Sequence, residues 1–148
     1  MTAYIIKPFE PAYREQMIDL WERSVRATHP FVDPRDIDHY KILMQDVDFF
    51  LFDVYCMLEG KKVCGFLGTA GHRIEALFLD PDYIGKGLGR MFMDYAMNEL
   101  QTDYVEVNEQ NTNAVAFYEY FGFRTFDRTE KDGQGKDYPL LKMRLETD

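Results

Sequence analysis

The stretch DPDYIGKGLGRMF, residues 80–92, places Gly85, Gly87 and Gly89 where a strand pattern gives way to a helix pattern. Glycines at such a junction are typical of a backbone that comes close to a phosphate group. Two phosphate-binding patterns do not fit. A P-loop needs Ser or Thr directly after its Gly-Lys pair, whereas glycine follows Lys86. A dinucleotide fingerprint counted from Gly85 needs a third glycine at position 90, where this chain has arginine.

The pattern that remains is Gly-Lys-Gly-Leu-Gly at the first turn of a helix. Free backbone N–H groups at a helix start, together with the helix dipole, bind a pyrophosphate without help from side chains. Gly87 and Gly89 would let the anion approach because no Cβ stands in the way, and Lys86 and Arg90 would add positive charge at the rim. The alternative is a plain glycine-rich turn, so this motif alone does not decide the ligand.

Hydrophobic spacing and turn residues define the elements that must position this turn. They predict strands over 4–9, 49–58, 62–70, 73–80, 103–109, 123–130 and 138–146, and helices over 13–28, 36–45, 88–100 and 112–121. The polar loop 131–137 is expected to be mobile. The order predicts an α/β fold in one domain over residues 1–148. Its mixed, mostly antiparallel sheet would have six or seven strands and about four flanking helices.

Two motifs on these elements carry a resemblance to a known family. LFLDPDYIGKGLGRMFMDYA, residues 77–96, resembles the acyl-CoA-binding segment of the GNAT superfamily of N-acyltransferases. NTNAVAFYEYFGF, residues 111–123, matches the second signature of that family, N-x-x-A-x-x-F/L-Y-x-x-x-G-F. The element order is similar to the family's over nearly the whole chain. WERSVRATHPF, VNEQN and YPLL add a closer likeness to small bacterial members.

The resemblance implies acetyl-CoA as the acyl donor. The chain has only three histidines, which are scattered, so no metal site is expected. In the family, one strand pairs with the pantetheine arm, the following turn holds the pyrophosphate, and two splayed strands enclose the thioester. The matching positions are Leu77, Phe78 and Leu79 for pantetheine; Ile84, Gly85, Lys86, Gly87, Leu88, Gly89 and Arg90 for pyrophosphate; and Asn111, Ala114, Phe117 and Tyr118 from the second motif. Asn111 would hydrogen-bond pantetheine or cap the following helix. Ile84 replaces the family's usual Arg or Gln, so weaker anchoring of the turn is expected.

Three side chains match catalytic positions of the family. An attacking amine must lose a proton, and the departing thiolate needs a proton donor. Tyr118 falls at the general-acid position, with a packing aromatic as the alternative. Glu106 matches the base proposed for members that acetylate ribosomal proteins. Glu75, two residues before Leu77 on the same predicted strand face, is the other candidate base. A solvated strand glutamate is the alternative for both, and Glu106 is preferred because the strand splay turns it towards the acceptor.

The acceptor pocket is expected near the end of the first helix. His29 follows that helix where family members shape this pocket, and Phe31 and Trp21 would line it together with Tyr40. A lone loop histidine is more often structural, and core packing is the alternative for Trp21.

Composition limits the partners. The 148 residues carry a net charge of −9, which argues against DNA or RNA and favours cationic acceptors such as amines. The alternative is that most of this charge serves solubility, which is the more common role of a charged surface. Cys56 and Cys64 are expected to be buried thiols, away from the acyl-transfer site. No apolar run approaches the ~20 residues needed to span a bilayer. A cytoplasmic protein without membrane attachment is expected, and a homodimer is compatible with the family.

These observations predict an N-acetyltransferase that moves an acetyl group from acetyl-CoA to a primary amine by direct transfer in a ternary complex. A catalytically silent acyl-CoA-binding module is the main alternative, and it would account for Ile84. Acetylation of aminoacyl-tRNA is a further alternative that the negative charge disfavours. The sequence leaves the identity of the amine open.

Overall fold

The computed structural model describes residues 3–146, which form seven strands and four helices. The strands are β1 Tyr4–Pro8, β2 Asp53–Glu59, β3 Lys62–Ala70, β4 Arg73–Leu79, β5 Tyr104–Asn108, β6 Phe123–Thr129 and β7 Leu140–Leu145. The helices are α1 Arg14–Thr28, α2 Pro34–Asp46, α3 Leu88–Asn98 and α4 Thr112–Tyr120. Short 3-10 helices occupy Pro11–Tyr13, Phe49–Leu51 and Pro81–Tyr83. The predicted fold class, a mixed sheet with four helices, is confirmed.

All seven strands belong to one sheet with the order β1-β2-β3-β4-β5-β7-β6. The first four strands form an antiparallel meander, and β5, β7 and β6 pair antiparallel in the second half. The halves meet where β4 and β5 run parallel. The strands run parallel because the connection through α3 crosses over and returns the chain to the same end of the sheet.

The two faces of the sheet are covered by different helix pairs. On one face, Met17, Leu20, Trp21 and Val25 of α1 pack on the meander together with α2. Their spacing of three and four residues gives α1 a single apolar stripe. On the other face, α3 and α4 form a second core around residues such as Phe92. The sheet thus separates two apolar layers, and both layers border the gap between β4 and β5.

The sequence prediction of β2 is wrong in one detail. Residues 49–52 do not extend β2, because the Asp48 carboxylate accepts a hydrogen bond from the Phe50 N–H at 2.9 Å and starts a 3-10 turn. The loop 131–137, whose predicted mobility stays a prediction, contacts α2. The Nζ of Lys136 forms an ion pair with the Asp36 carboxylate at 2.8 Å, and the Tyr40 hydroxyl of α2 donates a hydrogen bond to Asp132 of the loop. The loop therefore packs against α2.

Candidate active site

The strands β4 and β5 separate after a short parallel contact. Arg73 pairs with Tyr104 and Ile74 with Val105, and the pairing ends there. Residues 75–79 of β4 consequently have no strand partner on the β5 side. Because alternate residues direct their main-chain groups to β3 on the other side, only every second residue of this stretch presents its N–H and C=O to the cavity of about 350 Å³ that residues 75–79 line. This is the splay that the resemblance implied, and it leaves an open strand edge on which an extended amide-bearing chain can pair.

A β-bulge lies at the vertex of this splay. Gly68 of β3 is opposite Ala76, but Thr69 is opposite Ile74, so Glu75 is an extra residue in β4. The prediction that Glu75 shares the strand face of Leu77 is wrong, because the bulge interrupts the alternation of side chains. Ile74 and Leu77 both belong to the core beneath α3 and α4. Glu75 instead borders the cavity between the splayed strands.

The glycine turn joins β4 to α3. Gly85 and Gly87 have φ values of +85° and +82°, a left-handed conformation that glycine adopts without strain. Gly87 is the N-cap of α3, and no side chain caps the free N–H groups of the first turn. Lys86 and Arg90 are exposed beside them. The turn therefore presents backbone donors and two cations to an anion, as expected from the sequence.

Gly89 also has a packing role that the sequence did not indicate. It is buried, and a Cβ on it would lie 3.1 Å from the ring of Phe117. Its lack of a side chain allows α3 to approach α4 closely, and its predicted contact with an anion stays a prediction. Ile84, which precedes the turn, is exposed and borders the cavity.

The phenol of Tyr118 lies on α4 against the cavity. Its ring packs against Phe117 and Phe123, and 7% of the residue is exposed. Within residues 3–146 its hydroxyl has no hydrogen-bond partner, and no fully buried side-chain polar atom there lacks one. The hydroxyl must therefore reach the cavity. Burial raises the pKa of Tyr118, so the phenol is protonated at neutral pH and can donate a proton.

A chain of hydrogen bonds connects α1 to α4 across one end of the cavity. The Asn111 Oδ1 accepts from the Ala114 N–H at 3.2 Å, as an N-cap does, and its Nδ2 donates to the Nε2 of His29 at 3.2 Å. The Nδ1 of His29 then carries the proton and donates to the Thr28 hydroxyl at 2.7 Å, which donates to the Ser24 carbonyl at 2.8 Å. One N–H of Asn111 is left for another acceptor. Burial lowers the pKa of His29, which is therefore neutral.

The two candidate bases have different surroundings. Glu75 is ion-paired with Arg73, whose Nε lies 2.8 Å from Oε1. Glu106 has no ion-pair partner among the described residues and accepts a hydrogen bond from the Tyr104 hydroxyl at 2.9 Å. In β5 the side chains of Val105 and Val107 enter the core, so Glu106 points to the opposite, exposed face. Both carboxylates border the cavity, and Glu106 is the less engaged of the two.

The predicted acceptor residues do not gather in one place. His29 borders the cavity, whereas Phe31 packs on the His29 ring, with the ring centres 5.3 Å apart, and lines neither this cavity nor the second one described below. Trp21 is buried in the core under α1 and lines a second, apolar cavity. Leu77, Phe78, Leu79, Ala114 and Phe117 all line the main cavity.

Several lining residues were missed by sequence reasoning. Ser24, Thr28, Asn108 and Asn113 also border the cavity. Ser24 and Thr28 lie one helical turn apart on α1, and nothing in their spacing distinguishes them from ordinary polar helix residues. The VNEQN segment contained the signal for Asn108.

An ion pair fixes α1 to the strand that ends at the glycine turn. Arg23 donates two hydrogen bonds to the fully buried Asp80 carboxylate, at 2.9 and 2.8 Å. The other face of Asp80 accepts from the Asp82 N–H and starts the 3-10 turn Pro81–Tyr83. The pair lowers the pKa of Asp80 and keeps it charged. Arg23 thereby positions the glycine turn relative to α1.

Similarity to known proteins agrees with this geometry. Residues 18–147 match the acetyltransferase (GNAT) domain family. The chain belongs to the GNAT acetyltransferases. It is 37% identical over 132 residues to the peptidyl-lysine N-acetyltransferase YjaB of Salmonella typhimurium, covering 87% of this chain and 89% of that one.

Solved structures show the same GNAT fold. The solution structure of apo YjaB from Escherichia coli has a TM-score of 0.87 at 30% identity, and 99% of each chain is covered. The PaiA N-acetyltransferase of Thermoplasma acidophilum, solved in complex with coenzyme A, has a TM-score of 0.73 at 15% identity, covering 97% of this chain and 99% of that one. As a GNAT acetyltransferase, the protein transfers an acetyl group from acetyl-CoA to an amine.

Neither a membrane-spanning helix nor a cluster of metal ligands is found in the part of the chain that the structure describes. Within residues 3–146 no helix combines the length and apolarity required to cross a bilayer. The same residues contain no group of three metal-ligating side chains, and the absence of a metal stays a prediction.

Proposed function

We propose that this GNAT acetyltransferase acetylates the Nε amine of lysine side chains in proteins. The observation that carries the proposal is the 37% identity, over most of both chains, to a relative named as a peptidyl-lysine N-acetyltransferase. The net charge of −9 suits a cationic lysine-bearing surface and opposes binding to nucleic acid.

The shape of the acceptor side supports a macromolecular acceptor. The sheet face that bears Glu106 continues over β7 and β6 without a helix in front of it. Arg144 and Phe126 on these strands remain exposed, and the Arg144 guanidinium lies 4.2 Å from the Phe126 ring centre. A lysine side chain would extend from this open face towards the vertex of the splay.

The donor site follows from the free edge of β4 and the glycine turn. Residues 75–79 would pair with the pantetheine arm, and the first turn of α3 would hold the pyrophosphate, with Lys86 and Arg90 at the rim. The exposed Ile84 adds only apolar contact, so backbone donors carry the anchoring there. Asn111, held by His29, would offer its remaining N–H to a pantetheine carbonyl. Acetyl-CoA supplies the acyl group as a thioester.

The proton transfers divide between two residues. Tyr118, kept protonated by burial, would donate a proton to the departing sulfur. Glu106 would accept a proton from the lysine ammonium, directly or through water, because its carboxylate is the one without an ion pair among the described residues. Cys56 and Cys64 are buried in the sheet, and burial raises the pKa of both thiols, which suits direct transfer without an acyl-enzyme.

An acceptor panel tests this function. Release of coenzyme A would be measured with a peptide that has one lysine and a blocked N-terminus, a lysine-free peptide with a free N-terminus, and spermidine. We expect the lysine peptide to have the highest kcat/KM. A higher value for spermidine or for the free N-terminus would assign the enzyme a different amine, and binding of acetyl-CoA without release on any acceptor would favour the silent module.

The organisation as one domain, a cytoplasmic location and a homodimer belong to the same proposal. Sedimentation of the purified protein tests the assembly: a mass twice that of the chain would support the dimer, and the mass of one chain would exclude it.

A further inference from the structure

A second cavity of about 220 Å³ lies between α1, the end of α2 and the sheet. Eleven of its twelve lining residues are apolar or glycine, and Glu75 is the exception. The side chains that surround it are Met17, Trp21, Met44, Val47, Phe49, Phe52, Val54, Phe66, Ala76 and Phe78, with Gly68 at its floor. Such a cavity binds an apolar group in preference to water.

The cavity lies over a row of three paired residues that are all smaller than the phenylalanines of the neighbouring row. Val54 of β2 lies opposite Gly68 of β3, and Gly68 lies opposite Ala76 of β4. The neighbouring row on the same face of the sheet holds Phe66 and Phe78, which lie opposite each other. Their ring centres are 5.6 Å apart, and the rings fill the space over that row. A Cβ on Gly68 would meet no atom closer than 3.7 Å, so the floor is open. The cavity is a consequence of residue size at one row of the sheet.

The cavity adjoins the site of acetyl transfer. Glu75, Ala76 and Phe78 line it and also line the main cavity between β4 and β5. The bulge places Glu75 at the boundary between the two. The apolar cavity therefore opens beside the point where the acceptor amine must arrive, on the α1 and α2 side of the sheet.

The charge at this boundary favours an amine. Oε1 of Glu75 is engaged by Arg73, and Oε2 makes no hydrogen bond within residues 3–146. A cationic amine near Oε2, with an apolar group attached to the same molecule, would satisfy both the carboxylate and the cavity. A donor with a long acyl chain would place neutral methylene groups beside this carboxylate, which gains nothing from them.

We propose that the second cavity is an acceptor subsite that selects lysines next to a large apolar residue. The side chain of that neighbour, leucine or phenylalanine in size, enters between Trp21 and Gly68 while the lysine amine passes Glu75 into the main cavity. Phe50 and Leu51, which are 67% and 78% exposed, extend the apolar surface from the same 3-10 helix that lines the cavity. This inference rests on the proposed function and names its sequence preference.

Two peptides with a single lysine and blocked ends provide the test, one with leucine on both sides of the lysine and one with serine. For the unmodified enzyme we expect kcat/KM to be at least about tenfold higher for the leucine peptide. In Gly68→Val, whose side chain occupies the floor, the two values should become equal. Ala70→Val adds the same side chain to β3 but lines neither cavity, so the preference should persist.

Equal rates for both peptides in the unmodified enzyme, or a preference that survives Gly68→Val, would overturn the subsite. So would a Gly68→Val variant that alters the choice between hexanoyl-CoA and acetyl-CoA but not between peptides, because the cavity would then hold the acyl chain. If neither peptide is acetylated, the lysine proposal fails and the subsite is tested with 2-phenylethylamine against ethylamine.

Binding gives a readout that does not depend on turnover. Trp21 is the only tryptophan of the chain and lines the cavity, so its fluorescence reports occupancy directly. A saturable change in emission with 2-phenylethylamine, absent in Gly68→Val and present in Ala70→Val, supports the subsite. No change in the unmodified enzyme, or the same change in Gly68→Val, contradicts it even if that variant is poorly active.

Discussion

The imidazole Nε2 of His29 accepts a hydrogen bond from the Asn111 amide, 3.2 Å from its Nδ2, and joins the end of α1 to the start of α4. The Asn111 amide cannot turn over, because its oxygen caps the Ala114 N–H. The contact therefore requires an unprotonated Nε2. His29 is a positioning residue whose protonation would replace an acceptor by a second donor and break the link.

The first prediction concerns stability at acid pH. Because burial lowers the pKa of His29, the unfolded chain binds the proton more readily than the folded one. Its share of stability is complete above the unfolded pKa of 6.5 and is lost as the pH falls from there through the folded pKa. His29→Gln keeps a hydrogen-bond acceptor without titrating. Urea unfolding at about pH 7.5 and about pH 5.5 should show a smaller decline for the variant, and an equal decline would exclude His29 as the source.

The second prediction concerns Tyr118. Its hydroxyl makes no hydrogen bond within the described residues, so Tyr118→Phe should leave the unfolding free energy nearly unchanged. Loss of the proton donor should lower kcat by about 10²–10³-fold. Calorimetry should show unaltered binding of acetyl-CoA. Unchanged turnover in this variant would remove Tyr118 from the chemistry, whereas lost binding would assign it to the donor site alone.

The third prediction compares the two carboxylates. Glu106→Gln should lower kcat by about 10²-fold or more, because the base is removed. Glu75→Gln should act mainly on KM for the acceptor, because its carboxylate faces the incoming amine. Steady-state kinetics with the lysine peptide separate these effects. A collapse of kcat in Glu75→Gln with normal Glu106→Gln would reverse the assignment.

The fourth prediction concerns the ion pair behind the glycine turn. Arg23→Met leaves the buried Asp80 charge without its bidentate partner, and only Lys62 remains near it, 3.8 Å away. We expect a loss of about 3 kcal/mol, the lower end for a broken buried pair, because Arg23 is partly exposed. Arg26→Met, which breaks only exposed pairs, is the control and should cost about 1 kcal/mol or less. Similar losses in urea unfolding would show that Asp80 is not held by Arg23.

The fold could be predicted from the sequence because hydrophobic spacing and turn residues are local signals. The donor-site residues, which stay a prediction, were likewise chosen from local motifs. Glycine is the residue that a left-handed backbone conformation favours, so Gly85 and Gly87 could be recognised as turn residues from their type alone. Asn111 caps α4 and Tyr118 follows seven residues later, a spacing that puts both on the same face of one helix. The edge of β4 followed from the family resemblance. These features need only residues close in the chain.

The acceptor side could not be read in the same way, because it depends on register between distant strands. The bulge at Glu75 and the small row that includes Gly68 appear only when β2, β3 and β4 are aligned. The partner of Asn111 lies 82 residues away at His29. The packing of Gly89 against Phe117 likewise joins two helices, α3 and α4, and no local pattern in the sequence indicates it.

Acetyl transfer to a lysine amine can be tested on the product itself by isotope labelling. The enzyme would be incubated with isotope-labelled acetyl-CoA and a peptide that has one lysine and a blocked N-terminus, and fragment mass spectrometry would locate the label. We expect labelled acetyl on the lysine Nε, formed at a rate proportional to the enzyme concentration and about 10²–10³-fold more slowly by Tyr118→Phe. An unlabelled lysine at every enzyme concentration, with acetyl-CoA bound and intact, would contradict it.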